Sequence, residues 1–353
     1  MTSSSSGITT RSMSAATVNV TSNESHCHPQ RDEVISLLIS MYSIVFILGL
    51  LFNTLTAYLT WRQIRKKNIL SVYLFSLSLC DLLYISTLPI WIVYFSNKHK
   101  WFYGTFACQI TGFIFFTNVY LSILLLCCIS IDRYVAVVYC LESRGIRRQK
   151  PAVIITLVIF IAVAIVHSPV FTMDDGVKAN NSTCFETLPM NSLIAAFNYA
   201  RFVIGFFIPL VVLIFTNYNI FRSTATSNGL SDAQKSKVKY LAVAVISIFL
   251  ICFAPYHFIL LIRAVVFTLY PNDTCWFEEK IYKSSVVFLS LATFNSIADP
   301  IIYVLASDNI RKEIMQDLLS IRSLQFKSES STTPKCQYSK GSSDSQHVEE
   351  KPS

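Results

Sequence analysis

The sequence predicts an all-α membrane protein, a seven-transmembrane helix bundle with a short amphipathic eighth helix, and three observations carry that expectation. Over 353 residues the composition is 53% hydrophobic and only 14% charged, too apolar to be hidden in one soluble interior. Seven windows hold about 20 or more predominantly apolar residues, the length a helix rising about 1.5 Å per residue needs to cross roughly 30 Å of hydrocarbon. Basic residues crowd alternate connections, an asymmetry that membrane insertion imposes.

The windows are Val34–Trp61, Leu70–Phe95, Thr105–Val138, Pro151–Met173, Leu188–Phe221, Tyr240–Leu269 and Ser284–Leu305. Each is long and continuous and lacks strict in-out alternation, so helices are expected and not barrel strands. The first ends in Arg62, Arg65, Lys66 and Lys67, and the second carries Asp81 well inside it. The third is free of charge from Thr105 through Ile131 and then bears Asp132 and Arg133. The fourth follows Arg144, Arg147, Arg148 and Lys150 and has no acid between Pro151 and Pro169. The fifth holds Arg201 and Pro209, the sixth Phe253, Tyr256, Leu260 and Arg263 at helical spacing, and the seventh Asn295, Ser296, Asp299 and Tyr303.

The basic loops after the first and third windows, together with Arg222, Lys235, Lys237 and Lys239, belong on the cytosolic side. The opposite loops carry Asp174, Asp175, Glu186, Asp273, Glu278 and Glu279, so the N-terminus is expected outside and the C-terminus inside. Asn19, Asn23, Asn180, Asn181 and Asn272 each begin an Asn-x-Ser/Thr acceptor, and all fall in segments assigned outside. The net charge of +8 reflects this asymmetry and suits the anionic lipids of the inner leaflet; it does not point to nucleic acid. Four stretches result. Residues 1–33 form a disordered, glycosylated arm without the apolar core of a cleaved leader, and 34–306 one seven-transmembrane domain. Residues 307–320 are an amphipathic helix lying on the membrane, and 321–353 a disordered cytoplasmic tail. The expected location is the plasma membrane.

Topology places Cys27, Cys108, Cys184 and Cys275 outside, where disulfides persist. Four cysteines permit three pairings. Joining Cys108, at the top of the third window, to Cys184 would draw the longest outer loop over the bundle mouth, leaving Cys27 to tie the arm to Cys275. A free thiol on Cys27 is the plainer alternative.

Ionisable groups at hydrocarbon depth are costly, about 2.5–3.5 kcal/mol each on insertion scales, so each is a functional candidate. Asp81 and Asp299, with Asn53, Ser122, Asn295 and Ser296 at comparable depth, form a candidate proton or sodium network, with the ion at Asp81. A permanently hydrogen-bonded structural network is the bland reading. Arg201, Arg263, Tyr256, His257 and Phe115 form a candidate ligand mouth, since paired guanidiniums in an aromatic setting suit an anionic head group on a greasy tail. For Arg263 the alternative is a guanidinium reaching the headgroup layer. Asp132, Arg133, Tyr134 and Lys235 are candidates to face a cytosolic partner, with two arrangements of Arg133 open to selection; the plainer readings are a helix-end anchor for the Asp132–Arg133 pair taken alone and membrane sidedness for Lys235.

Asn53, "SLSLCDLL", "KWFYG", Cys108, "DRY" at Asp132–Tyr134, "FFIP", "CFAPY" and "NSIADPIIY" occur in this order, and together they resemble the rhodopsin-like (class A) G protein-coupled receptors across roughly residues 34–320. The resemblance implies a sodium-associated network at Asp81, Asn295 and Asp299, contact of Arg133 with a heterotrimeric G protein, and inward movement of Tyr303 on activation. "YLFSLSLCDLLY", "LESRGIRRQK" and "ARFVIGFFIPL" are similar to the proton-sensing and lysolipid group of that family. This implies an anionic lipid ligand, an oxidised fatty acid or lysophospholipid, or protons. Phe253 stands where the family has a toggle Trp, Asn217 where a Tyr is usual, and Lys235 where some relatives have an acid that locks Arg133. A loosely held inactive state is therefore expected. Phosphorylation of Ser328–Thr333 by receptor kinases would suit arrestin.

Enzymatic chemistry is disfavoured: no His/Cys/Asp cluster has metal spacing and no Gly-rich phosphate loop occurs, so no cofactor is expected. A channel or transporter is disfavoured because inverted repeats and discontinuous helices are not seen in the sequence. A primarily proton-activated receptor remains the main alternative to a lipid receptor.

Overall fold

The computed structural model describes residues 27, 32–139, 147–172, 183–185, 190–226, 231–271 and 274–306. The five acceptor asparagines, the expected eighth helix and the tail lie outside these residues. Seven spans cross in sequence: α1 (Asp32–Arg65), α2 (Leu70–Ser96), α3 (Gly104–Val138), α4 (Gln149–Phe171), α5 (Ser192–Thr226), α6 (Asp232–Leu269) and α7 (Cys275–Val304).

Several spans outrun their apolar windows, because hydropathy marks the hydrocarbon layer whereas a helix continues into the headgroups wherever its ends are satisfied. Two residues expected in the arm, Asp32 and Glu33, form the first turn of α1, where their charges complement the positive end of the helix dipole. Far from the apolar window at Tyr240, α6 starts in a capping box: Ser231 Oγ accepts from the Gln234 backbone N–H at 3.3 Å, and Gln234 Oε1 accepts from the Ser231 N–H at 3.0 Å. The Asn191 side chain caps α5, accepting from Ile194 N–H at 2.8 Å. The early start of α7 at Cys275 moves Glu278 from the expected loop into the first turn of a helix, where it is buried.

Nor are the spans uniform rods. In α2, Ser86 and Thr87 interrupt the helix before Pro89, and their hydroxyls donate to Leu83 O and Tyr84 O, each at 2.7 Å. A π-helical turn at Val203–Phe207 precedes Pro209 in α5, and another at Phe249–Phe253 precedes Pro255 in α6. Pro300 lies within α7. Proline leaves a carbonyl without its backbone donor, and a widened turn lets the helix absorb the mismatch and rotate the side chains above it.

The bundle is organised on α3, whose most apolar stretch is 67% buried against 22% for α4. Leu121, Ile123, Leu125, Leu126 and Ile129 are fully enclosed there. Ser130 and Thr216 share a 2.6 Å hydrogen bond that ties α3 to α5. The disulfides Cys108–Cys184 and Cys27–Cys275 are both formed, so Cys27 is not a free thiol.

Two glycines permit close ring approaches at the mouth. A Cβ on Gly112 would run into the Phe185 ring, and one on Gly205, inside the π turn, into the Tyr120 ring. Gly205→Ala should therefore overpack the α3–α5 contact and cost about 1–3 kcal/mol. Thermal melting of the solubilised protein is expected to show the loss, with part of it recovered when Tyr120→Ala is added.

Candidate functional site

Polar groups are stacked in three layers along the bundle. In the outer layer, the Arg201 guanidinium of α5 lies 4.2 Å from the centroid of the Phe116 ring. It has no carboxylate partner among the described residues. Arg201 is half-buried, and a cation held only over a ring gains about 0.5–2 kcal/mol, so its charge is open to an anion. Beneath it His167 of α4 stacks on Tyr120 of α3 at 4.9 Å, Tyr120 meets His257 of α6 edge-on at 5.8 Å, and His257 stacks on Phe206 of α5 at 5.3 Å. His257 is fully buried; its Nδ1 lies 2.8 Å from Phe253 O, and among the described residues its Nε2 has no partner, nor does the Tyr120 hydroxyl.

The second arginine of the mouth is already occupied. Arg263 Nε donates to Glu278 Oε1 at 3.1 Å and Oε2 at 2.9 Å, joining α6 to α7, so its charge already has a carboxylate partner. Phe115 turns toward α2, packing against Tyr84 at 5.7 Å, and the ring under Arg201 is its neighbour Phe116. Tyr256 is buried beside His257 at 5.2 Å.

In the middle layer, Asn53 Nδ2 donates to Gly49 O at 2.9 Å and to Ser296 O at 2.6 Å. Ser296 Oγ and Asn118 Nδ2 both donate to Asp81 Oδ1, each at 2.9 Å, while Asn295 Nδ2 donates to Ser122 Oγ at 3.0 Å and lies 3.5 Å from Asp299 Oδ2. The sequence reading missed Asn118; an Asn at mid-membrane depth in the charge-free stretch of α3, Thr105 through Ile131, was the available signal. Asn53 Oδ1, Asp81 Oδ2, Asn295 Oδ1 and Asp299 Oδ1 are buried acceptors without a partner among the described residues. Carboxylate and amide oxygens of this kind fit a small hard cation such as sodium, and the same oxygens would also take a shared proton.

The inner layer centres on Asp132, which accepts from Arg133 and from Arg147 of the loop before α4. Tyr134 packs edge-on against Phe215 at 5.8 Å. Tyr303 and Phe253 are buried, and Phe253 packs on Phe249, which stacks on Phe206 at 5.3 Å. Asn217 donates to Ala242 O at 3.3 Å, bridging α5 and α6, whereas Tyr218 faces outward. Lys235 is half-buried on the first turn of α6.

Residues 52–303 match the model of the 7 transmembrane receptor (rhodopsin family). The chain is 55% identical to the probable G-protein coupled receptor 132 of Mus musculus, over 82% of this chain and 75% of the mouse protein. The human counterpart is 54% identical over 79% and 73%, and the human G-protein coupled receptor 68 is 33% identical over 84% and 81%.

Asp81→Asn removes one carboxylate from the middle layer. Exchanging choline chloride for sodium chloride at equal ionic strength is expected to raise the melting temperature of the parent by about 2–4 °C and to leave the variant unmoved.

Proposed function

The chain belongs to the rhodopsin family of seven-transmembrane receptors, and from that premise we propose that it is a lipid receptor of the plasma membrane signalling through a heterotrimeric G protein. Its ligand is an amphiphile with an anionic head, an oxidised fatty acid or a lysophospholipid. One observation carries the ligand class: the Arg201 guanidinium lies on a Phe ring with no carboxylate partner among the described residues, whereas Arg263 already has Glu278. A carboxylate or phosphate would complete Arg201 with two parallel hydrogen bonds, and the acyl chain would follow the surrounding rings.

The route inward is a chain of aromatic contacts. A head group drawn to Arg201 shifts the charge above Tyr120 and His257, and His257 touches Phe206, which stacks on Phe249 at the π turn of α6. Motion of that turn would carry to Phe253 and then to α7, where Asn295 and Asp299 reorganise and Tyr303 turns inward. Arg133 then meets the G protein from the cytosol. The reading places the N-terminus outside, supported by the basic inner loops, and assigns arrestin and receptor kinases to the tail at Ser328–Thr333. A second reading, protons as agonist, is favoured by the two carboxylates sharing the middle layer with unpartnered oxygens.

Arg201→Ala should raise the lipid concentration for half-maximal response by about tenfold or more, the loss expected for one charge-assisted hydrogen bond, with surface expression retained. An unchanged dose response removes Arg201 from the ligand site. Titrating second messengers without lipid from about pH 8 to about pH 6, the range in which His titrates, separates the second reading: a response in the parent that Asp299→Asn abolishes would favour protons. Digestion of intact cells with a glycosidase is expected to release sugar from the Asn19 and Asn23 acceptors, as an outer N-terminus requires.

A further inference from the structure

We propose that Arg147 is a positioning residue for Arg133: it holds the Asp132 carboxylate so that Arg133 can leave for the G protein without stranding a buried charge. Asp132 is 8% exposed and has two oxygens for two guanidiniums. Arg147 takes both, donating from Nε to Oδ1 and from Nη2 to Oδ2, each at 2.9 Å, in the parallel fork that is the strongest arginine–carboxylate geometry. Arg133 donates from Nε at 3.1 Å and Nη2 at 2.5 Å, both to Oδ2. Among the described residues Oδ1 therefore belongs to Arg147 alone, and Oδ2 is shared.

The consequences follow from charge. Two guanidiniums around one carboxylate leave a surplus positive charge, so each weakens the hold on the other. When Arg133 departs, Asp132 keeps a two-bonded partner; without Arg147, departure would leave the carboxylate alone in a nearly closed site, a strongly unfavourable arrangement. The inner end of α6 brings Asp232 as well as Lys235, Lys237 and Lys239, and among the described residues Arg133 has no ion-pair partner besides Asp132. Release of Arg133 is thus governed between α3 and the start of α4, not between α3 and α6.

The inference rests on the G protein reading, and the test separates the two. Full-length receptor in nanodiscs is assayed for lipid-independent nucleotide exchange on a panel of purified heterotrimeric G proteins, per folded receptor. Arg147→Ala is expected to lower exchange about tenfold, because releasing Arg133 now strands a charge. Arg147→Lys keeps the charge but loses the parallel bonds, and is expected to fall between the two. In an Asp132→Asn background, Arg147→Ala should change nothing further, a non-additivity that a general loss of folding would not produce. Exchange by Arg147→Ala or Arg147→Lys equal to or above that of the parent, or an undiminished drop in the Asp132→Asn background, overturns the inference while leaving the receptor reading intact. A parent that drives no exchange on any G protein, either alone or with an oxidised fatty acid or a lysophospholipid added, removes the reading and the inference together.

Discussion

Hydrocarbon offers no hydrogen bonds, and that single constraint organises this molecule: each polar group placed between the headgroup layers must find its partner inside the bundle or be left for something that enters it. The backbone meets the condition by staying helical. Side chains meet it by bonding across helices, as Asn53 of α1 does with Ser296 of α7, and Asn118 of α3 with Asp81 of α2. The central position of α3 follows, since a helix without charge from Thr105 through Ile131 can be surrounded on nearly every side.

Against this background the three arginines differ in an informative way. Arg263 is matched by Glu278, and Arg133 shares Asp132 with Arg147. Arg201 has an aromatic face and, among the described residues, no acid. A charge with a partner holds helices together, whereas a charge without one is an affinity for an anion. The ligand reading therefore rests on the contrast between Arg201 and Arg263, which resemble one another until their surroundings are known.

The π turns in α5 and α6 connect the layers. Val203–Phe207 follows Arg201 almost directly and contains Gly205 and Phe206, one admitting Tyr120 and the other stacking on His257. Phe249–Phe253 presents Phe249 to Phe206 and ends at Phe253, whose carbonyl faces His257. Proline at the inward end of the first turn and just beyond the second makes such irregularity tolerable, and widened turns are natural places for a helix to change shape.

The seven spans and the depth of each costly charge were legible in the sequence, because each depends on a sum along the chain, hydropathy over a window. The Asp81, Asn295 and Asp299 layer was legible for the same reason, since few polar residues lie at that depth. Tertiary structure alone decided partners. It put Phe116 and not Phe115 beneath Arg201, drew Glu278 out of a loop onto Arg263, brought Asn118 to Asp81, and turned Arg147 from a topogenic loop residue into a ligand of Asp132. Partnership depends on the rotation of one helix against another, and a single widened turn or an early capping box resets that rotation without altering the hydropathy that set the helix in the membrane.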